Sequence, residues 1–216
     1  MRRLSGFLVA VLFLGLFTAT AAAQDDGWQN KWYWGAQAGA YFFSTPTVDN
    51  EMAFEVGGHW VITAERIGLH MGLSQLFFDD ATSSIPDGSA TGLGVNFTRG
   101  RRLQAEMYAF PMDGPLQIYA GGGFLINYIS DALPTGTFGS TQAEQAALAA
   151  IDEVSTKAFF TITGGAQWHM GRWALFGTYQ FTPSGRDFLI SSTQHSISGG
   201  IRYALAASNQ DVTTNR

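Results

Sequence analysis

The sequence predicts an all-β protein: an eight-stranded antiparallel up-and-down β-barrel that spans a membrane. Three observations predict it. Eight segments alternate large apolar side chains with polar or small ones at period two, and the links between them are alternately short and long. Charged residues make up only 13% of the chain, whereas glycine (26 residues) and aromatics (14%) are abundant. Successive side chains on a strand point to opposite faces, so a sustained period of two marks a sheet with one apolar and one polar side. A soluble domain averages about 25% charged residues, so the low value suits a bilayer better than water.

The first 23 residues are set apart from that fold. Arg2 and Arg3 precede an apolar run from Phe7 to Phe17, and small residues ending in Ala21-Ala22-Ala23 lead to Gln24. This is the pattern of a secretory signal peptide, with cleavage expected after Ala23. The run is too short for a membrane-spanning helix, which needs roughly 20 apolar residues. Residues 24–205 are expected to form one barrel domain and residues 206–216 a short polar tail. Without the leader, 10 basic side chains face 17 acidic ones, which argues against a nucleic-acid partner. No cysteine is present, so an exported chain must be held by something other than disulfides, and a closed hydrogen-bonded barrel suffices.

Each segment keeps its parity. Trp32 to Phe43 sets Trp32, Trp34, Ala36, Ala38, Ala40 and Phe42 against Tyr33, Gly35, Gln37, Gly39 and Tyr41. Met52 to Glu65 separates Met52, Phe54, Val56, Trp60 and Ile62 from Glu55, His59 and Thr63, and Ile67 to Phe77 opposes Leu69, Met71 and Leu73 to His70, Gly72 and Ser74. The fourth segment, ending at Pro111, sets Leu103, Ala105, Met107 and Ala109 against Arg102, Gln104, Glu106 and Tyr108. In the fifth, Leu116 to Tyr128, the apolar Leu125 falls on the polar side, as does Ile129 just beyond it. Lys157 to Met170, Trp173 to Phe181 and Gln194 to Leu205 complete the set.

The connections fix the expected topology. Tight links lie at Glu65-Arg66, Met112 to Pro115 and Gly171-Arg172; longer polar ones lie at Ser44 to Glu51, Asp79 to about Gly94, Ser130 to Ser155, and Thr182 to Ser192. Short periplasmic turns and long extracellular loops are the asymmetry of outer-membrane barrels. Aromatic girdles are expected at both interfaces, with Trp32, Trp34, Trp168, Trp173 and Tyr203 at the turn end and Phe42, Phe77 and Tyr128 at the loop end. A soluble lipocalin-type barrel would alternate in the same way. Its polar side would meet water and be rich in Lys and Glu, whereas here that side is Gln, Thr, Ser, Tyr, His and Gly, the composition of a packed interior.

Several runs carry a family resemblance: Trp32-Tyr33-Trp34-Gly35-Ala36-Gln37-Ala38-Gly39, Tyr119-Ala120-Gly121-Gly122-Gly123, Gly164-Gly165-Ala166-Gln167-Trp168, and Ser198-Gly199-Gly200-Ile201-Arg202-Tyr203-Ala204-Leu205. They resemble the small outer-membrane β-barrel superfamily, in particular the OmpA-like barrel domain. The last run is similar to the terminal signal that the barrel-assembly machinery reads. The resemblance implies export to the outer membrane of a Gram-negative cell. No cell-wall tether is expected.

Candidate chemistry is sparse. His59, His70 and His169 share inward parity, but with no cysteine they are expected to be satisfied interior polar groups rather than zinc ligands. His195 has outward parity while Ser196 and Ser198 face inward, so a hydrolase triad with Glu55 is not expected. Thr141-Gln142-Ala143-Glu144 has a capping-box pattern, and Ala147, Ile151 and Val154 follow at helical spacing, predicting a short helix in the long loop. Acidic side chains in the loops, such as Asp79, Asp80, Asp87, Asp152 and Glu153, lack the ligand spacing of a dedicated calcium loop.

Two groups of charges stand out. Glu55, Arg102, Glu106 and Arg202 have inward parity and are expected to form a mutual salt-bridge network plugging the barrel. Arg99 and Arg101 have outward parity near the loop end, where they are expected to contact lipopolysaccharide phosphates. The expected role is non-enzymatic: a monomeric structural or surface-interaction barrel without cofactors, in contact with outer-membrane lipids. A narrow channel for small or apolar solutes, similar in kind to OmpW-like barrels, is the second reading, and a lipid-modifying enzyme the third.

Overall fold

A computed structural model describes residues 28–87, 92–185 and 187–207. The expected signal peptide and residues 208–216 of the tail lie outside them. Nine strands form: β1 (Lys31–Phe43), β2 (Glu51–Ala64), β3 (Ile67–Ile85), β4 (Leu93–Ala109), β5 (Leu116–Ile129), the two-residue β6 (Leu133–Pro134), β7 (Thr156–Met170), β8 (Trp173–Thr182) and β9 (Gln194–Ala207). Among the described residues one helix, α1 (Thr141–Val154), sits between β6 and β7. The antiparallel order β3-β2-β1-β9-β8-β7-β5-β4 is closed by β3 pairing with β4, giving an eight-stranded barrel with no free edge around its ring. Closure satisfies backbone groups that hydrocarbon could not.

The outer wall is what the alternation predicts. Leu103, Met107, Leu116, Phe124 and Leu73 are each more than half exposed, while Glu55, Arg102, Glu106 and Arg202 are almost completely buried. A barrel that turns these four charges inward and exposes a continuous apolar belt is arranged for lipid, since soluble monomers seldom expose apolar patches beyond a few hundred Å2. Trp32, Trp34, Trp173 and Tyr203 ring the turn end, with Trp34 stacked on Trp60 at 5.6 Å and Trp173 against Tyr203 at 4.7 Å.

At the loop end the structure departs from the sequence reading. The third segment was expected to end at Phe77 and give way to a loop from Asp79, yet β3 runs on to Ile85 and pairs with β4 from Leu93. A bulge between Phe77 and Ala81, with Asp80 at φ +47°, turns the alternation over. Beyond it Ala81, Val95 and Phe97 are buried, because this extension packs on an apolar core above the barrel wall rather than on lipid. Leu133 and Pro134 add a short third strand against Asn96 and Val95. At the other end of the sequence β9 continues to Ala207, opposite Lys31, two residues past the expected barrel limit.

The helix lies where its periodicity placed it, but Ser140 rather than Thr141 is its N-cap, accepting a hydrogen bond from the Ala143 amide at 3.2 Å. Ala147 and Ile151 are its buried side, and Ile151 joins the core formed by Tyr41, Phe43, Phe78, Phe97, Ile129, Phe159 and the Phe188-Leu189-Ile190 segment of the β8–β9 loop. That core closes the loop-end mouth. Ile129, which broke the alternation of β5, belongs to it, so the inward apolar parity marks the height at which the lumen turns from polar to apolar.

Candidate functional site

The lumen is filled in three layers. Below the apolar core lies a polar layer, and the turn end is stopped by Trp28, Tyr108, Phe110 and Tyr119, with Tyr33, Val61 and Ala204 beside them. Trp28 precedes β1 and folds back under the barrel, its ring 4.1 Å from that of Phe110 and its carbonyl accepting from Thr63 at 2.7 Å. A void of about 10 Å3 remains among Glu55, His70, Arg102, Glu106, Gln180 and Arg202, room for a single water molecule.

The polar layer centres on one buried ion pair. Glu55 of β2 meets Arg102 of β4 at 2.7 Å, both side chains 1% exposed. The carboxylate also accepts from Ser74 at 2.6 Å and Ser196 at 2.9 Å, which satisfies the lone pairs that a buried carboxylate must share. Register makes this possible, because Ser74 is the cross-strand partner of Arg102. The guanidinium lies 5.1 Å from the Tyr41 ring centre and donates onward to the Gln180 carbonyl oxygen.

Gln180 then relays to the second carboxylate. Its amide donates to Glu106 at 2.9 Å, where Tyr108 also donates at 2.7 Å and Thr163 at 2.5 Å. His70, directly across the β3–β4 ladder, lies 3.5 Å away. Arg202 of β9 takes a separate place, donating to His59 at 3.0 Å and Gln167 at 2.6 Å and stacking over Phe176 at 4.0 Å. Glycine opens room for these large groups at two points. A Cβ on Gly35 would stand 2.2 Å from the His59 ring, and one on Gly123 would stand 2.6 Å from the Glu106 backbone.

The expectation of a mutual salt-bridge network is therefore corrected. The four charges share one layer and sum to zero, but only Glu55 and Arg102 pair directly. Glu106 is held by neutral donors and Arg202 by neutral acceptors and rings. Parity puts side chains inside a barrel; which of them touch depends on strand stagger and side-chain length, and Gln180, Thr163 and Gln167 reach the charges first. These three are buried like Ser74, Ser196, Tyr108, His59 and His70, and parity assigns a partner to none of them.

The remaining candidates also find definite places. Ser196 is committed to Glu55, while His195 points outward and shares a hydrogen bond with Tyr179 at 2.6 Å, so serine and histidine lie on opposite faces of the wall. His169 packs between Trp28 and Tyr33 at the turn end and meets Gln117 at 3.1 Å. Among the described residues no three His, Asp or Glu side chains converge in a way that would hold a metal. Arg99 and Arg101 are exposed on the outer face of β4. Asp131, just past β5, accepts from the Arg99 amide at 2.7 Å and the Thr98 amide at 3.1 Å, and from the Thr98 hydroxyl. Burial pulls its carboxyl upward, but these hydrogen bonds and the Arg99 guanidinium outweigh it and hold the group below the usual aspartate range.

No family model matches the sequence, and no curated protein does. Solved structures share the architecture. Neisserial surface protein A superposes with a TM-score of 0.54 at 12% identity, over 81% of this chain and 97% of that one. The N-terminal β-barrel domain of Pseudomonas aeruginosa OprF gives a TM-score of 0.50 at 8% identity, over 83% of this chain and all of that one. At such identities the likeness shows the fold alone.

Proposed function

We propose that this protein is a non-conducting, non-enzymatic barrel of the outer membrane, a monomer that needs no cofactor and whose role is structural and surface-exposed. The observation that carries this reading is the sealed lumen: an apolar core, a charge-neutral hydrogen-bonded layer and an aromatic stopper lie in series, with a void of about 10 Å3 between them. Eight strands leave an interior that side chains fill, and here they do fill it. The apolar outer belt supports a bilayer location. The loop asymmetry supports an orientation with the turns in the periplasm and the core of α1, the β3–β4 extension and the β8–β9 loop on the cell surface. That core makes the surface portion a packed platform rather than a set of loose loops, as a protein that presents an interaction surface requires. Insertion by the barrel-assembly machinery through β9 fits the Ser198 to Leu205 run. Conductance of the refolded protein in a planar bilayer tests the reading: no unitary current is expected, and discrete, reproducible openings would replace it with the narrow channel.

A further inference from the structure

We propose that Arg99 and Arg101 on the outer wall of β4, framed by Phe77 and Gln75 of β3 and Tyr128 of β5, form a docking site for the phosphate groups of a phosphorylated glycolipid in the outer leaflet. This rests on the outer-membrane reading above. The register supplies the first argument. Arg99 stands opposite Phe77, and Arg101 stands between Gln75 and Tyr128. Phe77 and Tyr128 are exposed aromatics of the loop-end girdle, so both guanidiniums sit at the edge of the hydrocarbon, Arg101 one step on its inner side. Two residues apart on one face of a strand, their Cα atoms are roughly 7 Å apart, a span that one phosphorylated headgroup bridges.

Compensation supplies the second argument. Between the two girdles the outer wall carries no other charged side chain among the described residues. Arg99 reaches Asp131 only through Nε at 3.8 Å and keeps its side chain 67% exposed, while that carboxylate is already engaged by backbone and Thr98. No ion pair reaches Arg101 among the described residues. A cation at a hydrocarbon boundary loses hydration without gaining a partner, unless an anion of the lipid itself supplies one. Guanidinium meets phosphate in a bidentate, charge-assisted geometry.

The mounting is rigid. Gln75, facing outward beside Arg101, donates its amide to the Gly100 carbonyl at 2.8 Å and the Leu76 carbonyl at 3.1 Å, fastening the strands at this rung. Asp79 and Asp80, both exposed, lie beyond Phe77 at the bulge, one step farther from the girdle than the basic pair.

The test uses the full chain refolded into phosphatidylcholine vesicles containing a bis-phosphorylated lipid A-type glycolipid or the same glycolipid dephosphorylated. Glycolipid retained per barrel after exchange into detergent is measured, with boiling-dependent gel mobility as the check on folding. Wild type is expected to retain the phosphorylated form, and Arg99→Gln with Arg101→Gln to bind it about tenfold more weakly, one charge-assisted contact or more being lost. Arg66→Gln, at the turn end, is the control expected to leave retention unchanged. Equal retention by the double variant, equal retention of the dephosphorylated glycolipid, or full displacement by millimolar inorganic phosphate overturns the proposal, the last because the site would then take a free anion. A wild-type chain that shows no boiling-dependent shift overturns the barrel reading as well.

Discussion

Glu55→Gln removes one charge of the only buried Arg–carboxylate pair among the described residues, and almost no volume. The carboxylate holds Arg102 at 2.7 Å and accepts from Ser74 and Ser196, and the adjoining void of about 10 Å3 admits no hydration shell. Arg102 would keep Gln180 and the Tyr41 ring, while its Nε already lacks a partner. Leaving a buried cation uncompensated costs about 3 to 5 kcal/mol. Gln180 and the ring offset some of this, so about 3 kcal/mol is expected. Arg102→Gln added to Glu55→Gln removes both charges, and the double variant is expected to recover about 2 kcal/mol of that loss as coupling between the two sites. The assay is reversible urea unfolding of the protein in phospholipid vesicles, followed by tryptophan fluorescence. A Glu55→Gln variant within about 0.5 kcal/mol of wild type, or a double variant as unstable as the sum of its parts, would refute the argument that this pair holds the polar layer together.

Two further outcomes follow from the geometry. A Cβ on Gly200 would lie 2.0 Å from the Ala36 carbonyl oxygen, so Gly200→Ala is expected to force β1 and β9 apart and cost about 3 kcal/mol. Gly177, which has nothing within 4 Å of its added Cβ, should tolerate alanine with a change of about 0.5 kcal/mol or less in the same unfolding assay. The Asp131 carboxyl is held low in the folded state, so the stability it lends is present above the unfolded value near 3.9 and is lost as pH falls through the lower folded value. Protection against amide exchange in the 130–155 loop, taken relative to the unstructured rate at each pH, is therefore expected to fall at that acidic limit in wild type, whereas Asp131→Asn should show the lower protection already at pH 6 and no further loss on acidification.

Much of this was legible in the residues. Period two fixed the eight barrel segments and their lipid and lumen faces, because one face of a strand at membrane depth must be apolar along its whole length. The alternation of Glu65-Arg66 and Gly171-Arg172 turns with long loops fixed the up-and-down order. Where the lipid constraint stops, the reading stopped with it. Asp79, Asp80 and Thr82 look like a loop because they are polar, yet β3 continues through them, held by its ladder to β4 and by the core under Ala81 and Phe97. The helix was visible from its own spacing, but its role in closing the mouth was not, since Ile151 meets Phe188, Leu189 and Ile190 across a gap of more than 30 positions in sequence.

The sequence by itself determined that Glu55, Arg102, Glu106 and Arg202 face inward, because parity is a local property of one strand. Only the tertiary structure decided that Glu55 takes Arg102 while Glu106 takes Tyr108, Thr163 and Gln180, and Arg202 takes His59 and Gln167. Those choices depend on the stagger between strands far apart in sequence, on glycines such as Gly35 and Gly123 that leave room at one height and not another, and on closure of the ring. Beside a void with space for one water, each of these buried charges must be satisfied by whichever polar group the closed barrel brings within reach.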